Sequence, residues 1–342
     1  MRRARWAGAR ARLTAAVTSL VILAACANTK QNVLDPQGQV ARDEDRLWDI
    51  VFPIAIFFFF VVGILTILIV IKFRDKGDDR APKQVHGNTI LEAGWTAIPA
   101  AILLVIGILT VSTVIDINRK AEGADVLEVT VVGHQWWWEY EYPQHRVTTA
   151  NEMHIPVGTK VNVTLKSDDV IHSWWPPKLA GKVDVIPGRT NHMVIEADKP
   201  GTYYGQCTEY CGLSHANMRL RVIAQSKDDF ATWASDQAQD AATPTAGEAA
   251  EGAALFRSKG CSGCHTVKGF AVGQVGPDLT HFSSRETFAG AIFDRNNENL
   301  RRWLLDPPKE KPMQPDRNLG MPNLHLTDDE ITKLIAYLDT LK

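Results

Sequence analysis

Two uncharged stretches constrain this chain more than any other feature: residues 50–71 and 93–115 contain no Asp, Glu, Lys or Arg. At about 22 residues and 1.5 Å of rise per residue, either stretch wound as a helix crosses a hydrocarbon core of roughly 30 Å. The competing reading is a buried helical hairpin of a soluble protein, but charged residues bound both runs: Asp49 and Lys72 the first, Glu92 and Asp116 the second. Pro53 and Pro99 stand near the start of their runs, where a missing N–H costs a helix least. The connection between the runs carries Lys72, Arg74, Lys76, Arg80 and Lys83. By the positive-inside rule that loop is cytoplasmic, so both termini lie on the outer side of a bacterial plasma membrane.

Ahead of the first run, Arg2, Arg3, Arg5, Arg10 and Arg12 precede an apolar segment, 13–25, too short to span a bilayer. That pattern reads as an export signal, 1–25, removed from the mature chain. It ends in Leu23-Ala24-Ala25-Cys26, which resembles the lipobox of bacterial lipoproteins, whose cysteine carries the lipid. An ordinary signal in which Cys26 has no part is the alternative. Formal net charge is −2 and no basic stripe follows the first dozen residues, which leaves a nucleic-acid partner without electrostatic support.

Beyond Asn118 the pattern changes to short β-type runs, 127–132, 161–165, 193–197 and 220–223, broken by Gly and Pro, as in a β-sandwich or Greek-key barrel covering 125–225. The stretch 236–251 is mostly Ala, Thr, Asp, Glu and Gly, with one Pro and no large apolar side chain, and reads as a linker. From 252 to 342 the periodicity is helical. It is clearest where Ile331, Leu334, Ile335 and Leu338 share a face behind a Thr327 cap with Glu330 three residues on. The expected fold is therefore multidomain: a transmembrane two-helix hairpin within 26–120, a β-sandwich, a linker and an all-α domain.

The chemistry is concentrated at cysteine. Of five cysteines, four fall in two tight pairs, a spacing of ligands or attachment points more than of a disulfide framework. Cys207 and Cys211 are followed by His215 and Met218, a soft donor set of the kind that prefers copper to hard cations. Two sulfurs shared between two coppers would let one electron spread over both. A Cys207–Cys211 disulfide, or a zinc site drawing on both pairs, is the bland reading, and neither accounts for the positions of His172, His215 and Met218. Cys261-Ser262-Gly263-Cys264-His265 is C-x-x-C-H, in which two thiols take up the haem vinyl groups and the histidine ligates iron. For the opposite face of the iron there are two candidates: Met321, in Gly320-Met321-Pro322 before the terminal helix, and Met313, in a Lys-Pro-Met-Gln-Pro loop.

The copper segment, from Gly205 to Met218, resembles the copper A region of cytochrome c oxidase subunit II, and Asp169-Val170-Ile171-His172-Ser173-Trp174 is similar to that family's upstream histidine motif. The resemblance implies a cupredoxin-like fold in which Cys207 and Cys211 bridge two coppers. His172 and Met218 would complete one copper, His215 and the Glu209 carbonyl the other. The Glu209 side chain would reach a magnesium ion shared with subunit I. Gly133-His134-Gln135-Trp136-Trp137-Trp138 resembles the family's aromatic region, which gives Trp136 the place where electrons enter, although the family commonly carries Tyr where this chain has Trp137. Leu91-Glu92-Ala93-Gly94-Trp95-Thr96-Ala97-Ile98-Pro99 resembles the segment whose Glu stands at a proton pathway, which implies that role for Glu92. The C-terminal portion is similar to small bacterial cytochromes c, with Met321 as the axial ligand opposite His265.

Together these resemblances imply the copper-bearing subunit of an oxidase with its cytochrome fused on, partnered by subunit I and other subunits, fed by cytochrome c or another external donor, and passing electrons to haem a. Oxygen reduction would belong to subunit I. A nitric oxide reductase subunit, a membrane-anchored relay cytochrome and a zinc-stabilised scaffold are the rivals. Quinol oxidase subunits resemble this chain without its copper ligands.

Overall fold

The computed structural model describes residues 29–74, 84 and 86–342. The expected signal 1–25, Cys26 and the loop cations Lys76, Arg80 and Lys83 lie outside the described residues. The chain forms two compact units, residues 42–119 and the remainder on either side of them.

The first unit is built from helix α1 (Gln39–Lys72) and helix α2 (Thr89–Ile117). The Asn88 side chain caps α2 by accepting from the N–H groups of Ile90 and Leu91 at 3.1 and 3.2 Å. None of the apolar midsection of either helix is buried within the chain, the pattern of side chains meant for lipid. Both helices start ahead of their apolar runs, α1 because Ala41, Arg42, Glu44, Arg46 and Leu47 favour helix as well, α2 because Asn88 caps it. Pro53 and Pro99 are therefore interior to their helices and not in first turns. Each removes one backbone hydrogen bond, a loss that membrane helices tolerate.

The second unit opens with a β-sandwich of two five-stranded sheets. One has the order β3 (Val147–Ala150), β2 (Trp137–Tyr142), β1 (Leu127–His134), β5 (Val161–Ser167), β8 (Asn191–Ile195). The other runs β4 (Glu152–Pro156), β10 (Arg219–Gln225), β9 (Gly201–Cys207), β6 (His172–Trp175), β7 (Val183–Val185). Alternate residues point inward, so Val129, Val131, Val161, Val163, Leu165, Leu220 and Val222 fill the core together with Trp138, Tyr140 and Trp174. Helix α3 (Lys227–Gln237), capped by Ser226, closes one end with Phe230 and Ala234.

The stretch expected as a linker is helical at both ends. Asp236 and Gln237 finish α3, Gly247–Glu251 opens α4 (Gly247–Ser258), and only 238–246 is irregular. Its alanines form helix because α4 has a partner to pack on. That partner is α7 (Asp328–Leu338), the C-terminal helix of a domain that also holds α5 (Asn297–Leu305) and α6 (Pro307–Glu310). Two small ribbons, β11 (Thr266–Val267) with β12 (Ala271–Val272) and β13 (Thr287–Phe288) with β14 (Phe293–Asp294), are the strands in this otherwise helical domain. The capping box is present: Thr327 accepts from the Glu330 N–H at 3.3 Å and Glu330 accepts from the Thr327 N–H at 3.0 Å. Behind it Ile331, Leu334, Ile335 and Leu338 are buried.

The α4–α7 contact depends on Gly252, where a Cβ would stand 2.0 Å from the Lys333 carbonyl oxygen and 2.8 Å from the Tyr337 Cβ. Alanine is the better helix former by about 1 kcal/mol. The Gly252→Ala variant is nevertheless expected to lose about 1–3 kcal/mol through overpacking, read by denaturant unfolding of the helical domain. A stabilised variant would contradict the contact.

Candidate metal centres

Strands β6 and β9 are antiparallel neighbours with Trp174 opposite Cys207, which carries His172 and Cys207 to one end of the sandwich. The chain then loops through Cys211 and a single 3₁₀ turn, His215–Asn217, back into β10. The Cys207 N–H donates to the Met218 carbonyl at 2.9 Å and closes the loop. Four donors converge on the two sulfurs. Cys207 Sγ lies 3.7 Å from Cys211 Sγ, 4.0 Å from His172 Nδ1 and 3.2 Å from the Glu209 carbonyl oxygen. Cys211 Sγ lies 3.6 Å from His215 Nδ1 and 3.8 Å from Met218 Sδ. His172, Cys207, Cys211 and Met218 are buried, and neither thiol is in a disulfide.

The His172 ring is oriented from behind: its Nε2 is 2.8 Å from Asp169 Oδ1. A carboxylate accepts, so Nε2 carries the proton and Nδ1 presents its lone pair to the sulfurs. The two thiols titrate as a pair. Their mutual hydrogen bond holds Cys207 well below the usual thiol range and pushes Cys211 up. A thiolate is thus available to a metal near neutral pH. Soft donors packed at 3.6–4.0 Å around two free sulfurs fit copper. The mixed zinc site is not formed, because Cys261 and Cys264 line a separate cavity that Cys207 and Cys211 do not reach.

That cavity, about 460 Å³, lies between the β1–β2 turn of the sandwich and the helical domain. Cys261, Cys264 and His265 form one wall, and Met321 and Met313 also line it. His265 Nδ1 donates to the Pro277 carbonyl at 2.8 Å, and burial lowers the imidazole's pKa. The neutral ring then has its Nε2 lone pair free for a metal. The residues fit a covalently attached haem: two thiols at attachment spacing, an oriented imidazole and thioethers in an apolar chamber. The two methionines differ in their packing. Met313 packs against the sandwich core, Met321 against the core of the helical domain.

Trp136 belongs to both places. Its indole Nε1 donates to the Cys211 carbonyl at 2.9 Å, where the Gln135 side chain also donates at 2.7 Å, and the same residue lines the cavity. The Glu209 carboxylate is at the surface, 4.0 Å from Lys182 Nζ. Glu92 sits in the other compact unit, in the first turn of α2, where its charge suits the positive end of the helix.

The model for "Cytochrome C oxidase subunit II, periplasmic domain" matches residues 144–225, that for "Cytochrome C oxidase subunit II, transmembrane domain" residues 27–112, and that for "Cytochrome c" residues 249–342. Cytochrome c oxidase subunit 2 of Alkalihalophilus pseudofirmus is 38% identical over 322 residues, covering 90% of each chain. The chain belongs to the cytochrome c oxidase subunit II family. The Bacillus subtilis relative of the same name is 31% identical over 94% of this chain and 95% of its own. A crystal structure of the periplasmic domain of the Bradyrhizobium japonicum subunit II is 32% identical, with a TM-score of 0.33 over 35% of this chain and 96% of that one. Two lipid-length helices, a cupredoxin-like domain and a cytochrome c domain thus make up a membrane protein of this family.

Asp169 was legible only as a letter in the upstream histidine motif; nothing in the sequence marks it as the group behind His172. Its half-buried hydrogen bond to His172 predicts that Asp169→Asn weakens copper binding about 10–100-fold, since an amide can present its N–H₂ to the ring and disfavour the tautomer. Copper titration of the chain against a competing chelator reads this directly, and unchanged affinity would remove Asp169 from the site.

Proposed function

We propose that this chain is the electron-accepting subunit of a respiratory haem-copper oxidase, taking electrons from a cytochrome c or another external donor and delivering them to subunit I. The single observation that carries the reading is the convergence of His172, Cys207, Cys211, His215 and Met218 on one sulfur pair. Cys207 and Cys211 would bridge the dinuclear copper A centre, His172 and Met218 holding one copper, His215 and the Glu209 carbonyl the other. Cys261 and Cys264 would bind one haem c covalently, with His265 and Met321 as axial ligands. When bound, these groups would supply one-electron chemistry at two centres in series, from which electrons would pass to haem a in the partner.

The protein's own share is to hold, orient and shield. Burial of the sulfur pair keeps water out, Asp169 fixes the His172 tautomer, and Pro277 does the same for His265. Rigid, preorganised ligands change little between oxidation states, which keeps reorganisation small. Trp136, joined to the Cys211 carbonyl and lining the cavity, supplies a covalent and hydrogen-bonded track from one chamber to the other. Met321 is preferred to Met313 because it packs within the helical domain that carries His265.

The remaining assignments go with this reading. Glu92 stands at the mouth of a proton pathway into subunit I, and Glu209 lends its carboxylate to a magnesium ion shared with that subunit. The chain is exported with its copper and haem domains outside the plasma membrane, and Cys26 carries a lipid. Oxygen is reduced to water in subunit I, coupled to proton translocation.

In the assembled oxidase, Cys211→Ser is expected to abolish oxygen uptake while the haem still accepts electrons from reduced donor, followed by its optical band. Oxygen uptake at the wild-type rate would refute the relay. Replacing Met321 with Leu is expected to lower the haem reduction potential, because a thioether ligand raises it. Met313→Leu leaves the potential in place, and the opposite pattern would exchange the two assignments.

A further inference from the structure

The haem and copper domains meet through two buried charges that the relay does not use. Lys311, at the end of α6, is 3% exposed. Its Nζ donates to the Trp136 carbonyl at 2.6 Å and to the Ala289 carbonyl at 3.0 Å, one acceptor in each domain. Glu152, at the start of β4 and 1% exposed, is the counterpart from the copper side. Its carboxylate accepts from the Glu286 N–H at 3.0 Å and from the Thr287 hydroxyl. Between the two, the Arg219 N–H donates to the Gly290 carbonyl at 2.9 Å and the Ser214 hydroxyl to that of Pro312 at 2.5 Å. The fit is close enough that a Cβ on Gly290 would stand 2.7 Å from the Asn217 carbonyl oxygen and 3.0 Å from that of Trp136.

Buried charges are costly, and an apolar side chain of similar volume is commonly at least as stable. Burial lowers the Lys311 pKa to about 7, a sign of that cost. What a buried lysine on two carbonyls provides is uniqueness: backbone acceptors are fixed in place, and sliding the domains by one residue would strand the donor. A domain meant to swing would be held by exposed, water-screened pairs such as Arg221 with Glu286 at 3.3 Å and Asp294 at 3.4 Å, on the rim of the same interface.

We propose that Lys311 and Glu152 are positioning residues that pin the haem domain to the copper domain in one orientation with Trp136 between the two sites, so that the cytochrome works docked and does not swing on its tether. The inference rests on the relay reading for its consequence, but the docking itself is measurable without electron flow.

The test uses the purified oxidase carrying Lys311→Met, Glu152→Gln or the milder Thr287→Val. Hydrogen exchange at the Arg219 and Glu286 amides is expected to speed up by about tenfold or more in the two charge variants, because these donors open when the interface does. Light-triggered electron transfer from haem to copper is expected to slow by about tenfold or more, since misplacement by a single ångström can cost that much. It should also become sensitive to solvent viscosity, while the haem and copper spectra and metal content stay as in the wild type. If the charge variants fail to assemble, Thr287→Val is expected to show both effects in smaller measure. Exchange and transfer rates unchanged in folded variants would overturn the pinning. Absence of haem-to-copper transfer in the wild type would overturn the relay instead, with the exchange result still deciding the docking.

Discussion

The donor groups at one end of the β-sandwich are arranged around the Cys207–Cys211 sulfur pair, buried there and 3.7 Å across. Two thiols that close resist joint ionisation, because the first thiolate raises the cost of the second. A cation shared by both removes that conflict, and the protein surrounds the pair with the neutral donors such a cation accepts: two imidazoles, a thioether and a carbonyl oxygen. The sandwich supplies the rigidity. Pairing of β6 with β9 sets His172 beside Cys207, and the hydrogen bond from Cys207 to Met218 fixes where the ligand loop ends.

The second centre is built from the other side of the same aromatic turn. The tryptophan that donates to the Cys211 carbonyl also lines the chamber walled by Cys261, Cys264 and His265, and its own carbonyl accepts from Lys311. Side chain, main chain and interface thus converge on Trp136, 3% exposed and closed off from a soluble partner. On the proposed relay, an external donor would meet the fused cytochrome before the copper domain, and the fusion would replace a diffusional encounter with a fixed contact.

Much of this was legible in the sequence because local chemistry dictated it. C-x-x-C-H, the run from Cys207 to Met218 and the Thr327 capping box are short patterns whose meaning does not depend on distant residues, and β1, β5, β8 and β10 fall on the four apolar runs. The misses are tertiary. The ends of the 236–251 stretch are helical because α4 has α7 to pack on, and an Ala-rich, weakly apolar segment does not announce its partner. Pro53 fell inside its helix because charged residues ahead of the apolar run extend it, and Pro99 because it stands seven residues into its own run. Lys311 follows Lys309 and Glu310 and has the appearance of a solvated lysine, and Glu152 has that of an exposed strand residue. In the folded chain each is buried with a hydrogen-bond partner in the other domain.

The most direct test of the central claim is an electron paramagnetic resonance spectrum of the oxidised chain, taken with a copper and haem count. Two coppers sharing one unpaired electron are expected, with a hyperfine pattern of two equivalent nuclei, beside one covalently bound haem. A single isolated copper, or zinc held by Cys207 and Cys211, would contradict it and leave only a membrane-anchored cytochrome.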